Sequence, residues 1–179
     1  MNFVNEKLAM LKKLQVFTLL LIPLSSCVSY FPRVVESFDC QIERVLDGDT
    51  LDCDNGLRIR LFGIDAPEKS QNCFNGIPIG TLATEALRSF VLGQRVRVIT
   101  KLTGRYGRLV AKVFVNNQDI SAYMLSLGLA IPYKFSQYES IKEKISYNSA
   151  LSRAMDSQKG MWQCDKVMSP YYFRKLKFD

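Results

Sequence analysis

Three short runs of this chain carry residue types that could do chemistry together: Asp47-Gly48-Asp49-Thr50, Arg60-Leu61-Phe62-Gly63-Ile64-Asp65-Ala66-Pro67-Glu68 and Arg105-Tyr106-Gly107-Arg108. Asp49 and Asp65 offer carboxylates to a hard cation, Glu68 offers a third carboxylate for a water proton, and Arg60 and Arg108 offer guanidinium groups to a phosphate. An oxygen-seeking cation such as Ca2+ takes carboxylates, carbonyls and waters as ligands. A cation of that kind, a carboxylate base and charged donors for the transition state are the parts that hydrolysis of a phosphodiester requires. Arginine suits the phosphate because its planar fork engages two oxygens and keeps its charge at any working pH.

Composition narrows the chemistry further. The chain has no histidine, which removes imidazole as base, acid or metal ligand and with it serine-histidine triads and His-ligated zinc hydrolases. Its 179 residues suffice for one domain with a core. A net charge of +7 attracts polyanions, a description that fits nucleic acid and an anionic membrane surface alike.

The elements that must position these residues can be read from local pattern. Gln41 to Val45 and Thr50 to Cys53 read as strands joined by a turn at Asp47-Gly48, whose glycine suits a hairpin. Asp47 reads as a turn or supporting residue. From Leu57 to Leu61 apolar residues alternate with Arg58 and Arg60, so Ile59 and Leu61 face a core while Arg60 faces away. Arg58 reads as a solvated surface charge. Pro67 restrains the backbone on both sides of the step from Ala66 to Glu68.

Further along, Ala83, Ala86, Leu87, Phe90 and Val91 make a helical stripe ending at Gly93. Val96 to Lys101 and Leu109 to Val115 read as strands, with Arg105 to Arg108 on the turn between them. Arg108 is the better candidate for a phosphate. Arg105 counts as substrate-binding by its place on the loop, although a turn arginine is more often merely solvated. Ile120 to Leu127 reads as a short helix capped by Asp119 and closed by Gly128. Ile141, Ile145, Leu151, Ala154 and Met155 suggest a longer helix ending near Gly160, with Trp162 as a packing plug. The remainder, 165–179, reads as a basic aromatic tail.

The combination of the three runs resembles the staphylococcal nuclease family from about Cys40 to Trp162. The resemblance implies an α+β fold, a five-stranded OB-type β-barrel with three helices. It places the calcium carboxylates on Asp49 and Asp65 with the Ala66 carbonyl as a further ligand, the active-site arginines on Arg60 and Arg108, and the active-site glutamate on Glu68. Tyr106 and Tyr133 fall at or near the tyrosines of the nucleotide pocket. Gly104 stands where the family usually carries an acidic residue. The activity implied is Ca2+-dependent, sugar-nonspecific hydrolysis of DNA and RNA to 3′-phosphate ends. The alternative is an OB-type surface lipoprotein that binds nucleic acid without cutting it.

The first segment reads as an export signal. A basic stretch from Lys7 to Lys13 precedes the apolar run Leu14 to Leu24, which is short for a ~30 Å hydrocarbon core. Leu24-Ser25-Ser26-Cys27 resembles a lipobox, which would make Cys27 the lipid-bearing first residue of the mature protein. The expected organisation is a signal over 1–27, a tether over 28–38, a nuclease domain over 39–164 and the tail. The destination is the outer membrane or cell surface through a lipid anchor, or otherwise the periplasm or the medium. No protein partner is inferred. Setting Cys27 aside leaves Cys40, Cys53, Cys73 and Cys164, an even number suited to an oxidising compartment. Cys40 with Cys53 and Cys73 with Cys164 is the preferred of three possible pairings; free buried thiols are the other reading.

Overall fold

The structure, a computed structural model, describes residues 36–104, 108–133 and 140–178. The expected signal, Cys27, Arg105 and Tyr106 lie outside the described residues. The described chain opens with β1 (Ser37–Val45), β2 (Thr50–Cys53), β3 (Arg58–Leu61) and β4 (Ile64–Asp65), followed by α1 (Ile79–Val91), β5 (Arg95–Thr103), β6 (Leu109–Val115) and β7 (Gln118–Asp119). It continues with α2 (Ile120–Ser126), β8 (Ile131–Pro132), α3 (Ile141–Asp156), a 3-10 turn at Gly160–Gln163 and α4 (Pro170–Phe178).

Strands β3, β2, β1, β5 and β6 pair in that order, and β3 closes on β6 in parallel to complete a five-stranded barrel. Register shifts between Ile42 and Arg44 in β1 and between Thr100 and Leu102 in β5 supply the local bends that closure needs. Alternation delivers Ile42, Leu51, Ile59, Leu61, Val96, Val98, Ala111 and Val113 to the interior, all nearly or fully buried. Each large aliphatic side chain so buried contributes about 1.5–3 kcal/mol. Helix α1 covers one part of the barrel with Ala83, Leu87 and Val91, and α2 another with Ile120, Met124 and Leu125.

The α+β barrel expected from the sequence is present, with four differences in its elements. Strand β1 begins at Ser37, before the expected Gln41, because β5 pairs with it from Ser37 opposite Ile99 to Gln41 opposite Arg95. Its outer half alternates too weakly to announce a strand by itself. Helix α1 starts at Ile79, ahead of the stripe that marks it. Helix α3 buries Tyr147, Ala150 and Ala154, whereas Ile141, Ile145 and Met155 stand exposed. Its apolar residues misidentify its inner face because polar contacts dock its start: Ser140 and Glu143 form a capping box, and Glu143 pairs with Lys112 of β6 at 2.9 Å.

The fourth difference is α4, which makes four helices in place of three among the described residues. Its start carries a signal that the basic aromatic composition obscures. Ser169 precedes Pro170, the Ser169 hydroxyl accepts from the Tyr172 N–H at 3.4 Å, and its carbonyl accepts from the Phe173 N–H at 3.0 Å. The chain reaches α4 through a second small apolar cluster of Cys73, Ile79 and Met161, with Trp162, Cys164 and Val167 against it. Cys73 is bonded to Cys164 and Cys40 to Cys53, the preferred pairing of the sequence reading.

Candidate active site

The Asp47-Thr50 run is a turn in which each residue supports Asp49. The Asp47 carboxylate accepts from the Asp49 N–H at 2.9 Å, and the Thr50 hydroxyl donates to Asp49 Oδ1 at 3.0 Å. Gly48 is not in a left-handed conformation. A Cβ there would lie 2.7 Å from the Ala66 Cβ and 2.8 Å from the Ala83 Cβ, so the glycine is required by close approach. This contact presses the turn against the second run, where the Ala66 N–H donates to Asp49 Oδ2 at 2.9 Å.

Strand β3 supplies Arg60, whose partner across the sheet is Thr50. With Ile59 and Leu61 committed to the core, Arg60 projects from the other face and meets two carboxylates. Its Nη1 donates to Asp49 Oδ1 and its Nη2 to Asp65 Oδ1, each at 2.7 Å. Arg58 belongs elsewhere: half exposed, it pairs with Asp52 at 2.8 Å. Gly63 adopts φ +82°, turning the chain after Phe62 into the short strand β4, and β4 pairs with β8 so that Asp65 lies opposite Ile131. Tyr133 follows β8, its N–H donating to the Gly63 carbonyl at 2.8 Å, with its side chain exposed.

Glu68 lies on the loop from Ala66 to Pro78, which is fastened to the start of α1. A Cβ on Gly80 would run into the Glu68 carbonyl, and the Gly80 N–H donates to the Gln71 carbonyl at 2.9 Å. Gln71 is fully buried and holds the loop from inside: its N–H donates to the Glu68 carbonyl at 2.7 Å and its Nε2 to the Met168 carbonyl at 2.8 Å. The Glu68 carboxylate is reached by Arg174 of α4. Arg174 Nη1 donates to Glu68 Oε1 at 2.8 Å, while Nη2 donates to Asp65 Oδ2 at 3.0 Å and to Oδ1 at 3.2 Å.

Asp49, Asp65 and Glu68 are thus gathered by two guanidinium groups, Arg60 and Arg174. Burial pushes the Asp49 carboxyl up to about 7 against the pull of Arg60; Asp47 and Asp65 add to the rise and the Ala66 N–H reduces it. Arg60 is held above its ordinary value: burial opposes its charge, and Asp49, Asp65 and Asp47 outweigh that burial. Two buried carboxylates that already share one cationic group form a donor set suited to a hard dication, completed by carbonyls and waters. Among the described residues no group of three or more acidic, Cys or His side chains is placed to hold a metal ion.

Arg108 occupies the position just before β6. Val110, two residues along, is the partner of Arg60 across the parallel pair, so carrying the alternation of β6 back past its first residue puts Arg108 on the same side as Arg60. Among the described residues Arg108 forms no ion pair with the three carboxylates, and its Nε is buried without a hydrogen-bond partner. A buried unsatisfied donor costs about 1–3 kcal/mol and calls for an acceptor. The sequence reading missed Arg174 and Gln71. The signal for both lay in the Cys73–Cys164 pairing, which draws the C-terminal segment to the loop that carries Glu68.

The family model described as staphylococcal nuclease homologue matches residues 58–164. The chain is 30% identical over 176 residues, 96% of its length and 87% of the relative's, to an "Uncharacterized endonuclease" of Haemophilus influenzae. It is 28% identical over 160 residues, 87% of its length and 97% of the relative's, to an "Uncharacterized endonuclease" of Escherichia coli O157:H7. It is also 31% identical over 127 residues to the "Probable endonuclease LCL3" of Komagataella phaffii, covering 67% of this chain and 55% of that one.

Proposed function

Because the chain belongs to the staphylococcal nuclease family, we propose that it is a Ca2+-dependent nuclease that hydrolyses DNA and RNA without regard to the sugar and leaves 3′-phosphate ends. The observation that carries this reading is the convergence of Asp49, Asp65 and Glu68 through Arg60 and Arg174. Asp49, Asp65 and the Ala66 carbonyl would hold the cation. When bound, Ca2+ would polarise the phosphoryl group and offset its charge. Glu68 would orient a water and accept its proton as the water oxygen bonds to phosphorus. The bond from phosphorus to O5′ breaks, and the leaving oxygen takes a proton from solvent.

Arg60 and Arg108 would donate to the phosphoryl oxygens as negative charge grows on them. The unpartnered Nε of Arg108 supports its part in this reading, since a phosphate oxygen would supply an acceptor. Tyr133, and with it Tyr106 and Arg105 of the neighbouring loop, would border the nucleotide.

Export completes the proposal. The two disulfides support folding in an oxidising compartment. The basic and apolar start, with Cys27 at its lipobox, supports a lipid anchor at the outer membrane or cell surface. The test incubates the full chain, disulfides oxidised, with single- and double-stranded DNA and RNA in Ca2+, in Mg2+ and in chelator, and identifies the product ends. Cleavage in Ca2+ with 3′-phosphate ends is expected. Intact substrate in every condition from folded protein would overturn the nuclease reading, and retained binding would then mark a non-catalytic barrel.

A further inference from the structure

Arg174 is the member of the charged cluster that the catalytic proposal leaves without a task. It comes from the last helix, far along the chain from the residues it touches, yet its contacts are made at 2.8–3.2 Å to both Glu68 and Asp65. Helix α4 is held there independently of these ion pairs. The Cys73–Cys164 bond ties the segment before α4 to the Glu68 loop, and Gln71 ties the same loop to Met168. Loss of one ion pair would therefore leave the helix anchored at the site.

Charge and geometry say what Arg174 is free to do. With Asp49, Asp65 and Glu68 all ionised, Arg60 and Arg174 leave the cluster with one net negative charge. A bound dication turns this to one net positive charge, which a phosphodiester neutralises. Competition by the dication for Asp65 would release an Arg174 nitrogen that now donates to that carboxylate. The guanidinium has five N–H donors. Its side chain is 31% exposed, so it is open to a ligand arriving from solvent. The same helix exposes Tyr172 and carries Lys175, whose Nζ lies 4.9 Å from the Tyr171 ring centroid. Basic and aromatic groups on one short helix suit a nucleic-acid strand.

We propose that Arg174, held against Asp65 and Glu68 by the disulfide-anchored C-terminal helix, is a substrate-binding residue that grips a phosphate of the nucleic-acid strand at the cleavage site. The inference rests on the nuclease reading and adds a third arginine to it. The bidentate fork fixes the strand, so its effect falls on substrate binding more than on the chemical step.

The test uses the full chain with Arg174→Gln, which removes the charge but can still hydrogen-bond Glu68, and Arg174→Lys, which restores the charge without the fork. Binding of a fluorescent single-stranded DNA oligonucleotide is measured against salt concentration in a Glu68→Gln background, and cleavage kinetics are measured with Glu68 intact. Arg174→Gln is expected to weaken binding about tenfold and to flatten the slope of log affinity against log salt by about 0.7, the value for one phosphate contact on a single strand. KM should rise more than kcat falls, and Arg174→Lys should recover the slope.

An unchanged slope and KM in a variant of native melting temperature would overturn the proposal. Faster cleavage with tighter Ca2+ binding would also overturn it, making Arg174 a counter-ion that obstructs the site. Arg174-dependent binding by a wild type that never cleaves would support the phosphate contact and remove the nuclease reading. A folded wild type that neither binds nor cleaves would remove both.

Discussion

Arg60 bridges Asp49 and Asp65, donating to one oxygen of each at 2.7 Å, with both carboxylates almost wholly buried. In the proposed cation site the bridge would be the counter-charge of the two carboxylates. Arg60→Ala would leave two crowded carboxylates without it, and unpairing buried charges costs about 3–5 kcal/mol. The variant should lose that stability in chelator and recover much of it in Ca2+, as read from urea unfolding in the two conditions. An equal loss in both would disconnect the bridge from the cation.

Glu68→Gln keeps the shape of the side chain and its capacity to accept from Arg174, but it cannot take a proton from water. Turnover should fall by about 100- to 10,000-fold, the usual contribution of a general base. The unfolding midpoint should move little, because Glu68 is partly exposed. Near-normal cleavage by the folded variant would exclude Glu68 from the proton transfer.

Gly48→Ala tests whether the turn must lie against Ala66 and Ala83. The added methyl meets both Cβ atoms inside normal contact, so the turn must shift, at a cost of about 1–3 kcal/mol. Asp49 would move with it, and Ca2+ affinity measured by titration calorimetry should fall together with stability. Full affinity in a destabilised variant would separate the packing of the turn from the position of Asp49.

Glu143 links α3 to the barrel and makes stability depend on acid. Burial opposes its ionisation, but the Ser140 N–H and the ammonium groups of Lys112 and Lys101 outweigh it and hold the carboxyl at about 2. The unfolded chain binds this proton near 4.5, so the contribution is complete above that value and is lost as pH falls from there through about 2. Glu143→Gln should therefore flatten the acid limb of the stability curve between those limits, with the wild type and variant converging at the lowest pH. Parallel curves across that window would count against the linkage.

The two disulfides should differ in weight. Cys73–Cys164 spans 91 residues and Cys40–Cys53 spans 13. Loop entropy gives about 4–5 kcal/mol for the first and about 3 kcal/mol for the second. Paired serine substitutions should lower the melting temperature more for the long bridge, and should also raise protease sensitivity after Met168. A larger loss from the short bridge would show that strain or residual structure in the unfolded chain overrides the entropy.

The sequence by itself determined the barrel, through the family that its three charged runs resemble, and it named Asp49, Arg60, Asp65 and Glu68 as candidates, which the structure brings into one cluster. Alternation in β3 assigns Ile59 and Leu61 to the interior and Arg60 to the other face, because strand periodicity needs no distant partner to be legible. The cap of α2 was equally local: Asp119 accepts from the Ser121 and Ala122 N–H groups.

What only the tertiary structure decided depended on contacts between segments far apart in the chain. Gly48 looks like a hairpin residue until Ala66 and Ala83 are seen against it, and the inner face of α3 is chosen by docking against the stripe of its own side chains. Arg174 stood in what read as a tail. No local pattern can bring it to Glu68, since that placement follows from a disulfide, a buried glutamine and a helix start acting together across the length of the domain.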